Sequence, residues 1–343
     1  MDNRQTETEG PLLRVQGLSK IFDISGGLLD QLTWTDGRLR RVKTTVKAIN
    51  DVGFDVARGE TFSVVGESGC GKSTLGRTVI GLYPPDAGEI HYDGQRIDTL
   101  SSRGMLPFRR RMQMVFQDPY ASLNPRKHVN QILEEPLRFH HPNLTSGELR
   151  DRVAAVMDQV GGDPQWLTRL PHEFSGGQRQ RISIARALVV DPDFIVADEP
   201  ISALDVSIQA QILNLLMDAQ EQRGLTYIFI AHDLSVVAHI STRVAVMYLG
   251  TLCEVATADD LFDAPRHPYT RALMSAIPRL GRKRPDHIRL RGEVPTPIHL
   301  PPGCVFHARC HYADDRCRAE VPQLRHHGER AAVACHGIEE GRI

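Results

Sequence analysis

The order of apolar and polar positions sets the first expectations. Residues 12–22 read as a strand and turn, and residues 46–65 carry an alternating run that becomes continuously apolar. That run ends in Phe62-Ser-Val-Val65, directly before a glycine-rich loop, and residues 72–82 then fit a helix. Residues 112–116 fit a short strand. Residues 129–190 give helical patterns broken by turn signals, as a helical insert would. Phe194-Ile-Val-Ala197 and residues 226–230 are short, continuously apolar runs, the pattern of strands buried on both faces of a parallel sheet. Between them Val206, Ile212, Leu215, Leu216 and Ala219 recur at helical spacing, so strand, helix and strand form a βαβ unit. Residues 243–249 and 251–256 add two further strands. The prediction is an α/β chain built on a parallel sheet.

Beyond residue 265 the pattern changes. Proline and histidine become frequent, and four of the six cysteines fall within 32 residues. This marks a C-terminal appendage, with Leu280-Gly-Arg-Lys-Arg-Pro-Asp286 as the candidate linker. The expected domains are residues 1–264, with a helical subdomain over 120–190, and residues 265–343. A length of 343 residues suits two domains. Lysine and arginine number 41 against 42 aspartates and glutamates, a net charge of −1, so no global field draws the chain to nucleic acid or anionic lipid. No apolar run approaches the roughly 20 residues needed to span a bilayer. The polar start, MDNRQTETEG, lacks the apolar core of a secretory signal. The expectation is a soluble, cytoplasmic protein whose membrane role would need partner chains. In that setting its cysteines read as thiols or metal ligands rather than disulfides.

The candidate chemistry begins at Gly66-Glu-Ser-Gly-Cys-Gly-Lys-Ser-Thr74, which satisfies G-x-x-x-x-G-K-[ST] between a predicted strand and a predicted helix. Glycines allow backbone N–H groups to converge on phosphate oxygens, and a helix N-terminus adds partial positive charge. The cradle comprises Gly66, Ser68, Gly69, Cys70, Gly71, Lys72, Ser73 and Thr74, with Lys72 reaching the β- and γ-phosphates and the Ser73 hydroxyl ligating Mg²⁺. The bland alternative is a Gly/Ser turn before an ordinary helix. Downstream, a buried strand ends in Asp198, a carboxylate suited to Mg²⁺, and Glu199 follows as a general base for the attacking water. Without the upstream loop, Asp198-Glu-Pro200 would pass for a solvated strand end.

Five further elements, taken with these, resemble the nucleotide-binding domain of ABC transporters across residues 11–256. Gln117, in Phe116-Gln-Asp-Pro119, is similar to the family's Q-loop glutamine, which touches Mg²⁺ and senses the transmembrane partner. Phe174-Ser-Gly-Gly-Gln178 resembles the signature motif, and Ser202-Ala-Leu-Asp205 the D-loop. His232 looks like the switch histidine, and Phe22 sits where the family places an aromatic ring against adenine. Ser175, Gly176, Gly177 and Gln178 open a predicted helix whose N-terminus suits a phosphate. The resemblance implies that this phosphate belongs to ATP held on a partner subunit, with Asp205 nearby. It also implies an α/β P-loop ATPase of the ABC type that hydrolyses ATP at a dimer interface. Singly, a Gly-Gly cap, a strand-end histidine and a core phenylalanine would be the ordinary readings. Arg109-Arg-Arg111 reads as a solvated helix face.

The C-terminal segment narrows the branch. His267-Pro-Tyr-Thr-Arg-Ala-Leu-Met274, Gly292-Glu-Val-Pro295, Pro301-Pro-Gly-Cys-Val-Phe-His-Ala-Arg-Cys310 and Val333-Ala-Cys-His336 resemble the tail of ATPase subunits from oligopeptide and dipeptide importers, and residues 23–45 resemble their second, F-type subunit. Such systems pair a second, usually different, ATPase chain with two permease subunits and an extracytoplasmic solute-binding protein. The resemblance therefore places this chain at the cytoplasmic face of the membrane.

Cys304, Cys310, Cys317 and Cys335 are separated by five, six and seventeen residues. Four thiolates can hold Zn²⁺ or an iron–sulfur cluster, and zinc sites favour closer pairs. The resemblance implies a [4Fe–4S] cluster; four packed, reduced cysteines are the competing reading. Within 23–45, Leu28, Leu29, Leu32 and Trp34 precede Arg38, Arg40, Arg41 and Lys43, a patch suited to permease loops or a membrane surface, or a hairpin over its own domain. A different class, a soluble ABC mechanoenzyme acting on DNA or the ribosome, would use the same core. Neutral charge, a single ATPase core and the absence of a long coiled coil oppose it, so no nucleic-acid partner is expected.

Overall fold

The predicted apolar runs become strands, in chain order β1 (Leu13–Asp23), β2 (Leu32–Thr35), β3 (Arg38–Arg41), β4 (Thr45–Val56), β5 (Thr61–Val65), β6 (Ala87–Tyr92), β7 (Gln95–Arg96), β8 (Met112–Val115), β9 (Phe194–Asp198), β10 (Thr226–Ile230), β11 (Arg243–Tyr248), β12 (Thr251–Thr257), β13 (Arg325–His326) and β14 (Ala331–Val333). The computed structural model describes residues 10–26, 32–35, 38–41, 43–277, 288–328 and 330–343. The candidate linker at 280–286, Leu28, Leu29 and the side chains of residues 32–41 lie outside the described residues. The backbone of β2 and β3 pairs antiparallel, with Trp34 opposite Leu39. The chain forms two compact units, each assembled from separate stretches of sequence.

One unit comprises Val56–Ser63 and Thr99–Thr242, with residues 10–12. Its strands lie in the order β5-β10-β9-β8. Both β10 and β8 run parallel to β9, pairing Ile230 with Asp198 and Val115 with Ala197. Every residue of β9 and β10 is buried, which explains why both runs are continuously apolar rather than alternating. The helices Gly176–Leu188 and Val206–Arg223 bury Ile182, Ile184, Leu188, Ile212 and Leu216. The Tyr227 hydroxyl donates to the Leu216 carbonyl at 3.0 Å, tying β10 to the second of these helices. Residues 129–188 form the predicted helical insert, with Val129–His140 and Ser146–Gln159 packed on Gly176–Leu188. Thr145 and Glu148 cap Ser146–Gln159 reciprocally.

Two expectations shift here. Val206, which falls at helical spacing with Ile212, Leu215, Leu216 and Ala219, is 82% exposed because it opens its helix beside the exposed Asp205 turn. Arg111 is not simply solvated: it pairs with Asp193 at 2.6 Å.

The other unit comprises Leu13–Asp55, Val64–Asp98 and Arg243–Ile343. One sheet has the order β4-β1-β6-β7, with β1–β6 and β6–β7 antiparallel. Leu13, Leu18, Ile49, Val52 and Tyr92 fill its core. A second set has the order β13-β14-β12-β11, antiparallel throughout. β14 from the C-terminal segment covers the β12 edge, and the Ala334 N–H donates to the Cys253 carbonyl at 2.9 Å. An otherwise open strand edge is thereby paired. Tyr248 at the end of β11 clusters with Tyr269 and Phe306 in tilted and edge-to-face ring contacts, centroids 4.8 to 5.3 Å apart. Glu254, fully buried, accepts from the Arg266 and His267 backbone N–H groups at 3.0 and 2.8 Å. Burial raises the Glu254 carboxyl and depresses His267 to about 3.

Candidate ATP site

The sequence-predicted phosphate cradle follows directly on the end of β5. The chain turns at Gly66 (φ 153°), and a side chain there would put its Cβ 2.1 Å from the Met247 carbonyl oxygen. At Gly71 (φ 107°) a Cβ would lie 2.1 Å from the Ala48 carbonyl oxygen. Only glycine fits at either position. The helix Lys72–Val79 starts immediately, and no side chain caps its N-terminus, so its first N–H groups suit an anion. It ends three residues before the predicted 82.

Lys72 is buried, and its ammonium group donates to the Gly66 and Glu67 carbonyls at 2.8 and 3.0 Å, closing the loop on itself. Cys70 is buried beneath it, its thiol raised by desolvation. Ser68 and Gly69 are exposed, and Ser73 and Thr74 half-buried. Phe22 is half-buried rather than core, with its ring edge-on to Tyr83 at 5.4 Å and the Lys20 ammonium 5.5 Å from its centroid.

In the parallel-sheet unit, three sequence-predicted residues meet on one carboxylate oxygen. Glu199 follows β9, Gln117 lies just beyond β8 and His232 just beyond β10. Adjacent parallel strands end on the same side, so residues distant in sequence converge there. Glu199 Oε2 accepts from Gln117 Nε2 at 3.0 Å and, in the Nδ1-protonated tautomer, from His232 Nδ1 at 3.2 Å. Glu199 itself has φ 45°, and its N–H donates to the Ile230 carbonyl at 3.0 Å. A left-handed conformation at a glutamate is a strained position of the kind found at active sites. Asp198, one residue earlier, is fully buried at the strand end.

The signature turn is in the same unit. Ser175 caps Gly176–Leu188 through Gln178: the Gln178 N–H donates to Ser175 Oγ at 3.4 Å, and the Ser175 N–H donates to Gln178 Oε1 at 3.0 Å. Ser175 and Gly176 are exposed. A Cβ on Gly177 would sit 2.5 Å from Ile208 Cγ2, so this glycine lets the turn pack on the helix that follows Asp205. Asp205 and Val206 are both exposed, an acidic and an apolar residue presented to solvent beside the signature turn.

The metal cluster expected at Cys304, Cys310, Cys317 and Cys335 does not stand. The four line one small cavity of about 10 Å³, which is room for about one water. Burial pushes the Cys304 thiol up to about 12 and raises Cys310 and Cys335. Among the described residues no group of three or more His, Cys, Asp or Glu side chains could hold a metal ion. The iron–sulfur and zinc readings are therefore withdrawn in favour of packed, reduced cysteines.

One set of contacts was not foreseen: Tyr269 and Arg309 both bond to Glu67 in the cradle. Their separation of 202 and 242 residues from Glu67 leaves no local signal to find them by.

Comparison with known proteins identifies the family. The ABC transporter family model matches residues 49–202, and the model of the oligopeptide/dipeptide transporter C-terminal region matches residues 253–317. The chain is 48% identical over 330 residues to the dipeptide transport ATP-binding protein DppF of Haemophilus influenzae, covering 96% of this chain and 97% of that one. It is 48% identical over 329 residues to the oligopeptide transport ATP-binding protein AppF of Bacillus subtilis, covering 95% and 97%. Among solved structures it resembles the ATP-binding cassette MJ0796 in a dimeric post-hydrolysis state bound to ADP and Pi. That likeness has a TM-score of 0.62 at 26% identity, covering 72% of this chain and 98% of the cassette. A P-loop, a strand-end carboxylate pair, a signature turn and a C-terminal region that matches its own family model leave one assignment: this chain belongs to the ATP-binding subunits of ABC transporters, in the oligopeptide/dipeptide branch.

Proposed function

We propose that this ABC ATPase energises a peptide importer, with Glu199 as the base that activates water for ATP hydrolysis. The observation that carries the reading is the convergence of Gln117 and His232 on the Glu199 carboxylate. Two donors hold one oxygen in place, and the carboxylate keeps basic lone pairs for a water proton. Lys72, by exchanging its loop carbonyls for β- and γ-phosphate oxygens, neutralises charge on the substrate. Gly66, Ser68, Gly69, Cys70, Gly71, Ser73 and Thr74 supply the surrounding backbone and hydroxyl donors, and Phe22 with Tyr83 offers an aromatic face to adenine.

Ser73, Gln117 and Asp198 provide oxygen donors, the ligand type that Mg²⁺ takes. The metal would supply neutralisation of phosphate charge. His232 steadies Glu199, and its resemblance to the switch histidine gives it the reacting phosphate as its second partner during turnover. Ser175, Gly176, Gly177, Gln178 and Asp205 face solvent or lie beside residues that do, and serve the nucleotide held by a partner subunit.

The relatives named for dipeptide and oligopeptide transport support peptide as the solute class. The partners are a second, different ATPase chain, two permease subunits and an extracytoplasmic solute-binding protein. Among the described residues no helix is long and apolar enough to cross a membrane, which fits a peripheral subunit carried on permeases at the cytoplasmic face. The match over residues 253–317 favours transport over a DNA- or ribosome-acting mechanoenzyme. In liposomes holding the full transporter, peptide-loaded binding protein should stimulate ATP turnover. Intact basal hydrolysis with no stimulation by any peptide would overturn the solute reading.

A further inference from the structure

One residue of the phosphate loop is gripped from three sides, two of them by the C-terminal segment. The Glu67 carboxylate accepts from Arg309 Nη1 at 3.1 Å on Oε1 and 2.8 Å on Oε2. Its backbone N–H donates to the Tyr269 hydroxyl at 3.0 Å, and its carbonyl accepts from Lys72 Nζ at 3.0 Å. Tyr269 and Arg309 are both buried, and Arg309 Nη1 also reaches the Tyr248 hydroxyl at 3.4 Å. The rings of Tyr248 and Tyr269 pack together with Phe306, three residues before Arg309.

A carboxylate in a loop that receives a triphosphate is an electrostatic liability, because like charges repel and burial weakens screening. A released Glu67 would also compete with the phosphates for Lys72, whose ammonium already sits on the Glu67 carbonyl. Arg309 removes both problems: it holds the carboxylate and cancels its charge. Tyr269 fixes the backbone of the same residue, so the loop is preorganised before nucleotide arrives.

We propose that Arg309 and Tyr269 are positioning residues for ATP, so that the C-terminal region, and not the ATPase core alone, sets nucleotide affinity. The inference rests on Gly66–Thr74 being the phosphate cradle. It assigns a role in the ATP site to a region otherwise marked only by its transporter-type sequence.

The test is equilibrium titration of the full-length chain with a fluorescent ATP analogue and Mg²⁺, alongside thermal melts. Arg309→Ala should weaken binding roughly tenfold, since it leaves Glu67 charged and unpaired. Adding Glu67→Gln to Arg309→Ala should restore affinity to within about threefold of wild type. In the assembled transporter at saturating ATP, kcat of Arg309→Ala should change less than about twofold, with the defect confined to KM. Tyr269→Phe should weaken binding by a smaller factor.

Unchanged affinity in Arg309→Ala, or a double variant as weak as the single one, would overturn the proposal; the latter would mean that Arg309 serves packing alone. Should Arg309→Ala fail to fold, Glu67→Gln alone decides, because it leaves the arginine in place. It should bind no weaker than about threefold below wild type, and a loss beyond that would refute the electrostatic argument. A wild-type chain that binds no MgATP would remove the cradle reading itself, whereas wild-type binding with an indifferent Arg309→Ala would remove only this inference.

Discussion

Replacing Glu199 by glutamine separates chemistry from architecture, and the structure says how cleanly. Both neighbours donate to the same oxygen: Gln117 Nε2 at 3.0 Å and His232 Nδ1 at 3.2 Å reach Oε2. A glutamine with its carbonyl oxygen in that place keeps both hydrogen bonds, so the structural cost should stay below about 1 kcal/mol. The strained φ of 45° is unchanged by the swap, because neither side chain is branched at Cβ. What disappears is the proton acceptor. General-base catalysis supplies about 10² to 10⁴ in rate, or about 3 to 5 kcal/mol of barrier.

Glu199→Gln should therefore lower kcat by about that factor while leaving the ATP dissociation constant within about twofold. The assays are phosphate release by the assembled transporter and nucleotide titration of the same preparation. Turnover above a tenth of wild type would refute the assignment of Glu199 as base. A parallel loss of ATP binding would show that the carboxylate holds the nucleotide site together rather than acting on water.

Other substitutions probe the cradle and the C-terminal region. Lys72→Ala should weaken ATP binding roughly 10- to 100-fold, the worth of charged hydrogen bonds to phosphate, as read by the same titration. Gly71→Ala forces a Cβ to within 2.1 Å of the Ala48 carbonyl oxygen and should cost about 2 to 4 kcal/mol in denaturant unfolding. Gly94→Ala, also at positive φ but with nothing within 4 Å, should cost only about 1 to 2 kcal/mol and serves as the control.

His267 is held down to about 3 by burial, below its ordinary 6.5, so the unfolded chain takes up a proton there that the folded chain does not. Stability should fall as pH drops from 6.5 toward 3, by up to about 1.4 kcal/mol per pH unit. His267→Asn keeps a cap for the Tyr269 N–H and removes the titration, so unfolding free energies from pH 4 to 7 should show a flatter acid limb. The raised Glu254 carboxyl acts in the opposite sense in both chains and cancels from the difference. An identical limb in the variant would place the acid sensitivity elsewhere.

What could be read from sequence follows from the range of the interactions involved. β9 and β10 were legible because strands buried on both faces must be apolar at every position, and the chain says so locally. The cradle was legible because Gly66, Gly71 and Lys72 fall in one contiguous motif, although the carbonyls that enforce glycine at 66 and 71, those of Met247 and Ala48, lie far along the chain. Gln117, Glu199 and His232 could each be proposed from motif position. Their meeting on one oxygen depends on strand order, which residue spacing does not encode. The clamp on Glu67 was invisible because Arg309 lies 242 residues away and looks, in sequence, like one more basic residue in a histidine-rich tail. Val206 misled because an apolar residue at helical spacing reads as core, yet here it opens a helix in solvent. The cysteines misled differently. Four thiols at irregular spacing suit several outcomes, and the metal reading leaned on resemblance rather than on any geometry the spacing imposes.

The central claim is that nucleotide joins two subunits through the exposed Ser175 turn of one and the phosphate loop of the other. The direct measurement is the mass in solution, by light scattering, of the Glu199→Gln chain with its partner ATPase, with and without MgATP. The claim predicts separate subunits without nucleotide, a stable pair with MgATP, and loss of the pair when Ser175→Glu sets a negative charge against the phosphate. Masses that do not respond to MgATP, or a pair indifferent to Ser175→Glu, would contradict it.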